Sequence, residues 1–160
     1  MDNKPRLELW ALGVCLLACL AAGGLGSIFI SPDVGDWYAK LHKPGFNPPD
    51  WVFAPVWTAL YIMMAVAVWI IWRQRTTRPT TVAICLFGIQ LALNAAWSSI
   101  FFGLHQPLMA LVDLAMLWVV LIATLVGFGR ISRTAGRLLL PYLAWVSFAG
   151  VLNAAIVALN

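Results

Sequence analysis

The sequence predicts an all-α, polytopic membrane protein with five transmembrane helices in one bundle. Three observations carry that prediction. Hydrophobic residues make up 62% of the 160 residues and charged residues only 10%, whereas water-soluble domains are about half apolar and about a quarter charged. So few charges cannot cover a surface that faces water, and the mean hydropathy of +0.89 agrees. Second, five apolar runs, 7–30, 51–72, 82–104, 108–129 and 138–159, each reach the roughly 20 residues that a spanning helix needs. Third, only Glu8 and Asp113 place a charge inside those runs. The connections are short, so residues 1–160 read as a single domain. Cys15, Cys19 and Cys85 all lie in apolar runs and read as small reduced packing residues.

The first run follows Lys4 and Arg6, which resembles a signal peptide, but its apolar stretch continues past Cys19 to Ile30. That is longer than an h-region needs, so it reads as a span. Pro32 is expected to stop this helix. In the loop that follows, Asp36 is placed to cap a short interfacial helix carrying Trp37, Tyr38 and Leu41, with Pro44 ending it. Rigidity and four aromatics (Trp37, Tyr38, Phe46, Trp51) suit either a turn or a lid. Asn47 before Pro48 reads as the cap of the second span, because a pre-proline residue is pushed to the extended backbone that a cap requires. Pro55 is expected to kink that span by removing a bond to residue 51.

On the second span, Phe53, Trp57, Tyr61 and Met64 share a face at 100° per residue. Gln90, Asn94, Trp97 and Phe101 share one on the third, and Tyr142, Val146, Ala149 and Asn153 share one on the fifth. Tyr61, Asn94 and Ala149 each fall roughly 15–18 Å from the start of their helix, near the bilayer midplane. Such groups do not face lipid tails without cost, so they are expected to point inward. They serve either as interhelical glue, at about 0.6–2 kcal/mol per bond, or as a ligand site. Asp113, in the fourth span, reads as structural. Trp10, Trp69 and Trp72 read as an interfacial belt, and Trp118 as packing or lipid contact. Small residues recur every four positions at Ala11, Cys15, Cys19, Gly23 and Ser27, at Gly88, Ala92 and Ala96, and at Gly150, Ala154 and Ala158, which suits close helix packing or dimerisation.

Eight of the ten basic residues fall on one side of the predicted bundle, with only Lys40 and Lys43 on the other. The positive-inside rule then puts the N-terminus in the cytoplasm. The charge excess is a topology signal; no nucleic acid partner is expected, since no loop interleaves aromatics with the basic residues. No carboxylate–histidine cluster accompanies His42 or His105, so no metal site is expected. No nucleophile–base pair or phosphate loop is present to suggest hydrolysis or phosphoryl transfer.

Several motifs together resemble the translocator protein / tryptophan-rich sensory protein (TspO/MBR) family. They are Trp37-Tyr38, Lys43-Pro44, Asn47-Pro48-Pro49, Trp51-Val52-Phe53, Pro55, Trp57-Thr58 and Leu60-Tyr61. To these add Gln90 through Asn94 with Trp97 and Phe101-Phe102-Gly103, and Pro141 through Trp145 with Leu152-Asn153. The resemblance covers all five spans in order. It implies a homodimeric receptor or sensor in a bacterial cell membrane that binds porphyrins, haem-like tetrapyrroles or sterols among the helices. Porphyrin or haem is then a ligand and not a cofactor. Trp37, Phe46, Trp57, Tyr61, Asn94, Trp97, Tyr142, Trp145 and Ala149 are the implied ligand-binding residues. The alternatives are a light-dependent porphyrin-degrading enzyme, with Trp57 and Trp145 as the catalytic indoles, and a small transporter. Two features depart from the family. Gly45-Phe46 stands where an aromatic pair is usual, and the C-terminal sterol motif is absent. Arg137, Tyr142 and Val146 fit only its reversed form.

Overall fold

A computed structural model describes residues 4–28 and 34–160, and all regular structure among them is helical. Helix α1 runs Lys4–Ile28 and α2, a short one, Val34–Lys40. A 3-10 turn, Asp50–Val52, leads into α3, Phe53–Arg73. Helix α4 is Thr81–Ser98, extended by a π turn over Ser99–Gly103, and α5 is Pro107–Ile131. Helix α6, Arg133–Leu138, precedes α7, Leu140–Leu159. Four stretches, Asp50–Arg73, Thr81–Gly103, Pro107–Ile131 and Arg133–Leu159, are long and apolar enough to cross a membrane, and the shorter apolar part of α1, Glu8–Gly24, joins them. This is a polytopic helical bundle.

Around the bundle the helices run α1, α4, α5 and then α6 with α7, while α3 closes the ring between α1 and α6. Small residues set the closest approaches. A methyl group added at Gly136 of α6 would lie 2.9 Å from the Gly129 Cα of α5, and one at Gly23 of α1 would lie 2.5 Å from the Tyr61 ring of α3. In lipid, where apolar side chains gain nothing by leaving the solvent, such close packing holds helices together. The main core gathers Met64, Ile71, Leu117, Leu121, Phe128 and Leu139, all 1% exposed or less. Phe101, Ala110, Leu152 and Ile156 form a second cluster near the α2 loop.

Two sets of contacts define the ends. At one, Arg73 pairs with Glu8 at 3.2 Å, and Arg78 donates to the carbonyls of Arg130 and Ile131 at 3.3 and 3.1 Å. Trp69 Nε1 donates to the Glu8 carbonyl at this end, at 2.9 Å. At the other, Asn160 exchanges two bonds of 3.0 Å with the His42 backbone and so ties the first loop to the end of α7. The basic residues of the α3–α4 and α5–α6 connections therefore cluster opposite the α2 loop.

The helix boundaries differ from the sequence reading in four places. Helix α2 starts by Val34, so Asp36 lies within its first turn instead of capping it, and it ends at Lys40, short of Pro44. Asn47 does not cap the second span. Its amide N–H closes a turn onto the Pro44 carbonyl at 3.0 Å, and the helix begins at Asp50. Pro55 consequently lies in the first turn of α3, at the junction of 3-10 and α geometry, where its missing N–H interrupts no established ladder. The fifth span breaks at Leu139, because Pro141 has no N–H to offer the Arg137 carbonyl. The stop assigned to Pro32 and the small residue Ser27 concern parts outside the described backbone or side chains.

Candidate ligand-binding site

The site is built on the four-residue spacing of Phe53, Trp57 and Tyr61 along α3. Trp57 stacks on Tyr61 with centroids 5.5 Å apart and meets Tyr142 of α7 edge-on at 6.2 Å. The Tyr61 hydroxyl donates to Asn94 Oδ1 of α4 at 2.6 Å. Tyr142 is fully buried, with its hydroxyl near Asn94 but not in hydrogen-bonding geometry. Tyr61, Asn94 and Tyr142 thus form a closed layer. Trp57 separates it from a cavity of ≈ 370 Å³, a size within the range of small-molecule pockets.

Walls of this cavity come from α1 (Gly23), α3 (Phe53, Trp57), α4 and its π turn (Trp97, Ser98, Phe101, Phe102) and α7 (Trp145, Phe148, Ala149, Leu152, Asn153, Ile156), with Tyr38 and Asp50 at the loop end. The π turn matters here. Its i to i+5 bond, Leu104 N–H to Ser99 carbonyl at 3.0 Å, inserts an extra residue per turn. Both Phe101 and Phe102 then reach the cavity, 4.8 Å apart, with Trp97 stacked on Phe101 at 5.3 Å. Asn153 fixes this wall. Its Oδ1 accepts from Trp97 Nε1 at 3.2 Å and its Nδ2 donates to the Pro107 carbonyl at 2.9 Å. The turn ends at His105, whose φ of 54° is left-handed.

Helix α2 and its loop cover one end. Trp37 stacks on His105 at 4.3 Å and meets Phe101 at 5.6 Å. Tyr38 packs against Phe102, donates to Asn47 Oδ1 at 3.5 Å, and carries the Lys43 ammonium 3.8 Å above its ring. Burial pushes the Tyr38 phenol above its ordinary range; the charge of Asp50 adds to the shift and the Asn47 bond partly offsets it.

Of the residues singled out from the sequence, Trp57, Trp97, Trp145 and Ala149 line the cavity. Tyr61, Asn94 and Tyr142 lie in the layer beneath, because the polar groups of the first two satisfy each other. Trp37 stands behind Phe101, outside the lining, and Phe46 is 50% exposed against Phe148. Tyr142 and Val146 are buried in the core, so the reversed sterol motif with Arg137 presents no continuous membrane-facing surface. Phe53, Phe101 and Asn153 sat on the faces marked by periodicity, whereas Asp50, Ser98, Phe148, Leu152 and Ile156 went unnoticed as lining residues. Phe102 becomes legible only with the π turn, which shifts the register by one residue, whereas Ser98 lies before that turn, four residues after Asn94 on the same face. Among the described residues no group of His, Cys, Asp or Glu is arranged to hold a metal ion.

A multi-pass helical bundle enclosing an aromatic cavity beside one membrane face is the class that this fold and site define. The pattern of the TspO/MBR family matches residues 15–159, and the chain belongs to that family. It is 44% identical over 157 residues to "Tryptophan-rich protein TspO" of Chlorobaculum tepidum, covering 96% of this chain and 98% of the relative. Similarity to "Translocator protein" of Homo sapiens is 43% over 131 residues, 81% of this chain and 78% of the other. The "Tryptophan-rich sensory protein" of Cereibacter sphaeroides is 35% identical over 151 residues, 94% and 92% of the two chains.

Proposed function

We propose that this protein is a membrane receptor or sensor that binds flat hydrophobic ligands, tetrapyrroles and sterols, in the cavity beneath the α2 loop. The observation that carries the reading is the wall itself: Phe53, Trp57, Trp97, Phe101, Phe102, Trp145 and Phe148 line one cavity. Indole and phenyl faces stack on a macrocycle or a fused ring system at about 0.5–1.5 kcal/mol per pair beyond area burial. Gly45, in the loop that covers this end, has room for a larger side chain, since nothing lies within 4 Å of where its Cβ would stand.

The test is a titration of the purified protein with protoporphyrin IX, followed by quenching of tryptophan fluorescence. Saturable binding is expected, weakened several-fold by Trp145→Leu and tightened by Gly45→Trp, with helicity unchanged. A folded Trp145→Leu that binds as tightly as the parent overturns the assignment. Running the same titration in light tests the second reading, porphyrin breakdown, which is favoured by the presence of both Trp57 and Trp145 in one lining. A homodimer belongs to the same proposal. The α4 stripe is open to a second copy, because Gly88 and Ala92 are exposed, whereas Cys19 and Gly23 of the α1 stripe are used against α3. Oxidative cross-linking through exposed Cys85, one turn away, tests that contact.

A further inference from the structure

We propose that Asp50 sets ligand choice at the loop end of the cavity, favouring a ligand whose polar end donates a hydrogen bond, such as a hydroxyl or amine, over one ending in a carboxylate. This deepens the reading above and rests on it. Tyr38 and Asp50 line the loop end, Ser98 and Asn153 lie further in, and Trp145 adds a buried indole N–H that has no partner among the described residues. Asn153 is held in place by one accepted bond from Trp97 and one donated bond to the Pro107 carbonyl. The Tyr38 proton is directed to Asn47, so toward a ligand that hydroxyl offers lone pairs. Asp50 contributes a carboxylate that makes no side-chain hydrogen bond or ion pair with the described residues, although its charge reaches Tyr38.

The two cations of this segment, Lys40 and Lys43, are absent from the lining, and the Lys43 ammonium sits 3.8 Å over the Tyr38 ring. The loop end of the lining therefore presents acceptors and a negative charge, with the Lys43 cation held on the Tyr38 ring and outside the lining. A donor-bearing end gains a charge-assisted bond there. A carboxylate meets like charge there, partly screened because Asp50 is exposed. Asp50 also lies in the first turn of a helix, where negative charge is favourable by itself. That role alone would alter stability, not the choice between ligands.

The experiment compares protoporphyrin IX, a dicarboxylate, with its dimethyl ester in the parent and in Asp50→Asn, by tryptophan quenching in one detergent. Taking the ratio of ratios cancels ligand partitioning into micelles. The expected result is that Asp50→Asn strengthens the diacid roughly three- to tenfold relative to the ester. Cholesterol and cholesteryl hemisuccinate form a second pair, with the hydroxyl favoured in the parent and the preference reduced in the variant. Equal effects of Asp50→Asn on both members of a pair overturn the proposal while leaving the binding reading intact. So does a parent preference for the diacid that Lys43→Ala abolishes. No saturable binding of any of the four probes overturns both readings.

Discussion

Gly23→Ala should loosen the layer beneath the cavity, and the structure gives the size of the effect. The added methyl would stand 2.5 Å from Tyr61 Cε2 and 2.9 Å from Cζ, where carbon atoms ordinarily sit about 3.5–4.0 Å apart. The ring must therefore move by about an ångström. It is held on one side by the stack with Trp57 and at its tip by the 2.6 Å bond to Asn94. Overpacking of this kind costs about 1–3 kcal/mol, and losing an interhelical bond in a membrane adds about 0.6–1.7 kcal/mol. A loss of roughly 2–5 kcal/mol follows from the two together. Unfolding by sodium dodecyl sulfate in mixed micelles, followed by circular dichroism, measures it. The double variant Gly23→Ala/Tyr61→Ala supplies the control, because the methyl has no ring left to displace. Its two changes should therefore fall short of additivity by at least about 1 kcal/mol. A Gly23→Ala protein as stable as the parent, or strict additivity in the cycle, refutes the packing argument.

Three further outcomes are expected. Gly136→Ala should destabilise the protein by about 1–3 kcal/mol in the same unfolding assay, because the new methyl meets backbone, Gly129 Cα at 2.9 Å, and backbone cannot rotate away. Tyr38 has a raised phenol pKa, so the contribution of its neutral form is complete below the ordinary tyrosine value near 10 and is lost as pH rises through the higher folded value. The tyrosinate absorbance that disappears in Tyr38→Phe should accordingly develop later in the folded protein than after denaturation. A reporter active only in the cytoplasm, fused after Asn160, should stay silent, because the basic connections lie at the opposite end of the bundle.

The spans were legible because lipid demands long uninterrupted apolar runs, and the five runs of the sequence correspond to the five long helical stretches. Their exact ends were harder to read. Pro55 and Pro141 restrict the backbone without stating on which side of them the helix yields, and the π turn at Ser99–Gly103 leaves no trace in a 100° periodicity. The cavity was half legible for a similar reason. Sequence depth placed Tyr61 and Asn94 at one level, but whether two polar groups at the same level meet each other or a ligand depends on helix rotation. Here they meet each other. Asp50 and Phe148 meet in the lining from elements far apart in the chain, and the loop after α2 is tied to the end of α7 through His42 and Asn160, residues 118 apart.

Polar side chains pair across the helices both inside the bundle and on its outer face. Tyr61 binds Asn94 between α3 and α4, Trp97 binds Asn153 between α4 and α7, and Trp118 binds Ser147 between α5 and α7 at 2.9 Å. Each is a pair across two helices, and each leaves its aromatic ring free for packing. The hydrogen bonds thereby tie four helices, α3, α4, α5 and α7, while the cavity wall remains mostly carbon. A wall of that kind discriminates by shape and stacking, with little directional bonding. Directional selection is then left to the loop end, where Tyr38 and Asp50 stand. Unpairing Trp97 by Asn153→Leu should accordingly loosen every ligand in similar proportion, since it disturbs the wall and leaves the polar end intact. A change at Asp50 should instead reorder ligands by their polar ends. The same fluorescence titrations separate the two patterns, and an Asn153→Leu protein that reorders ligands as Asp50→Asn does would show that shape and polarity are not divided between wall and mouth.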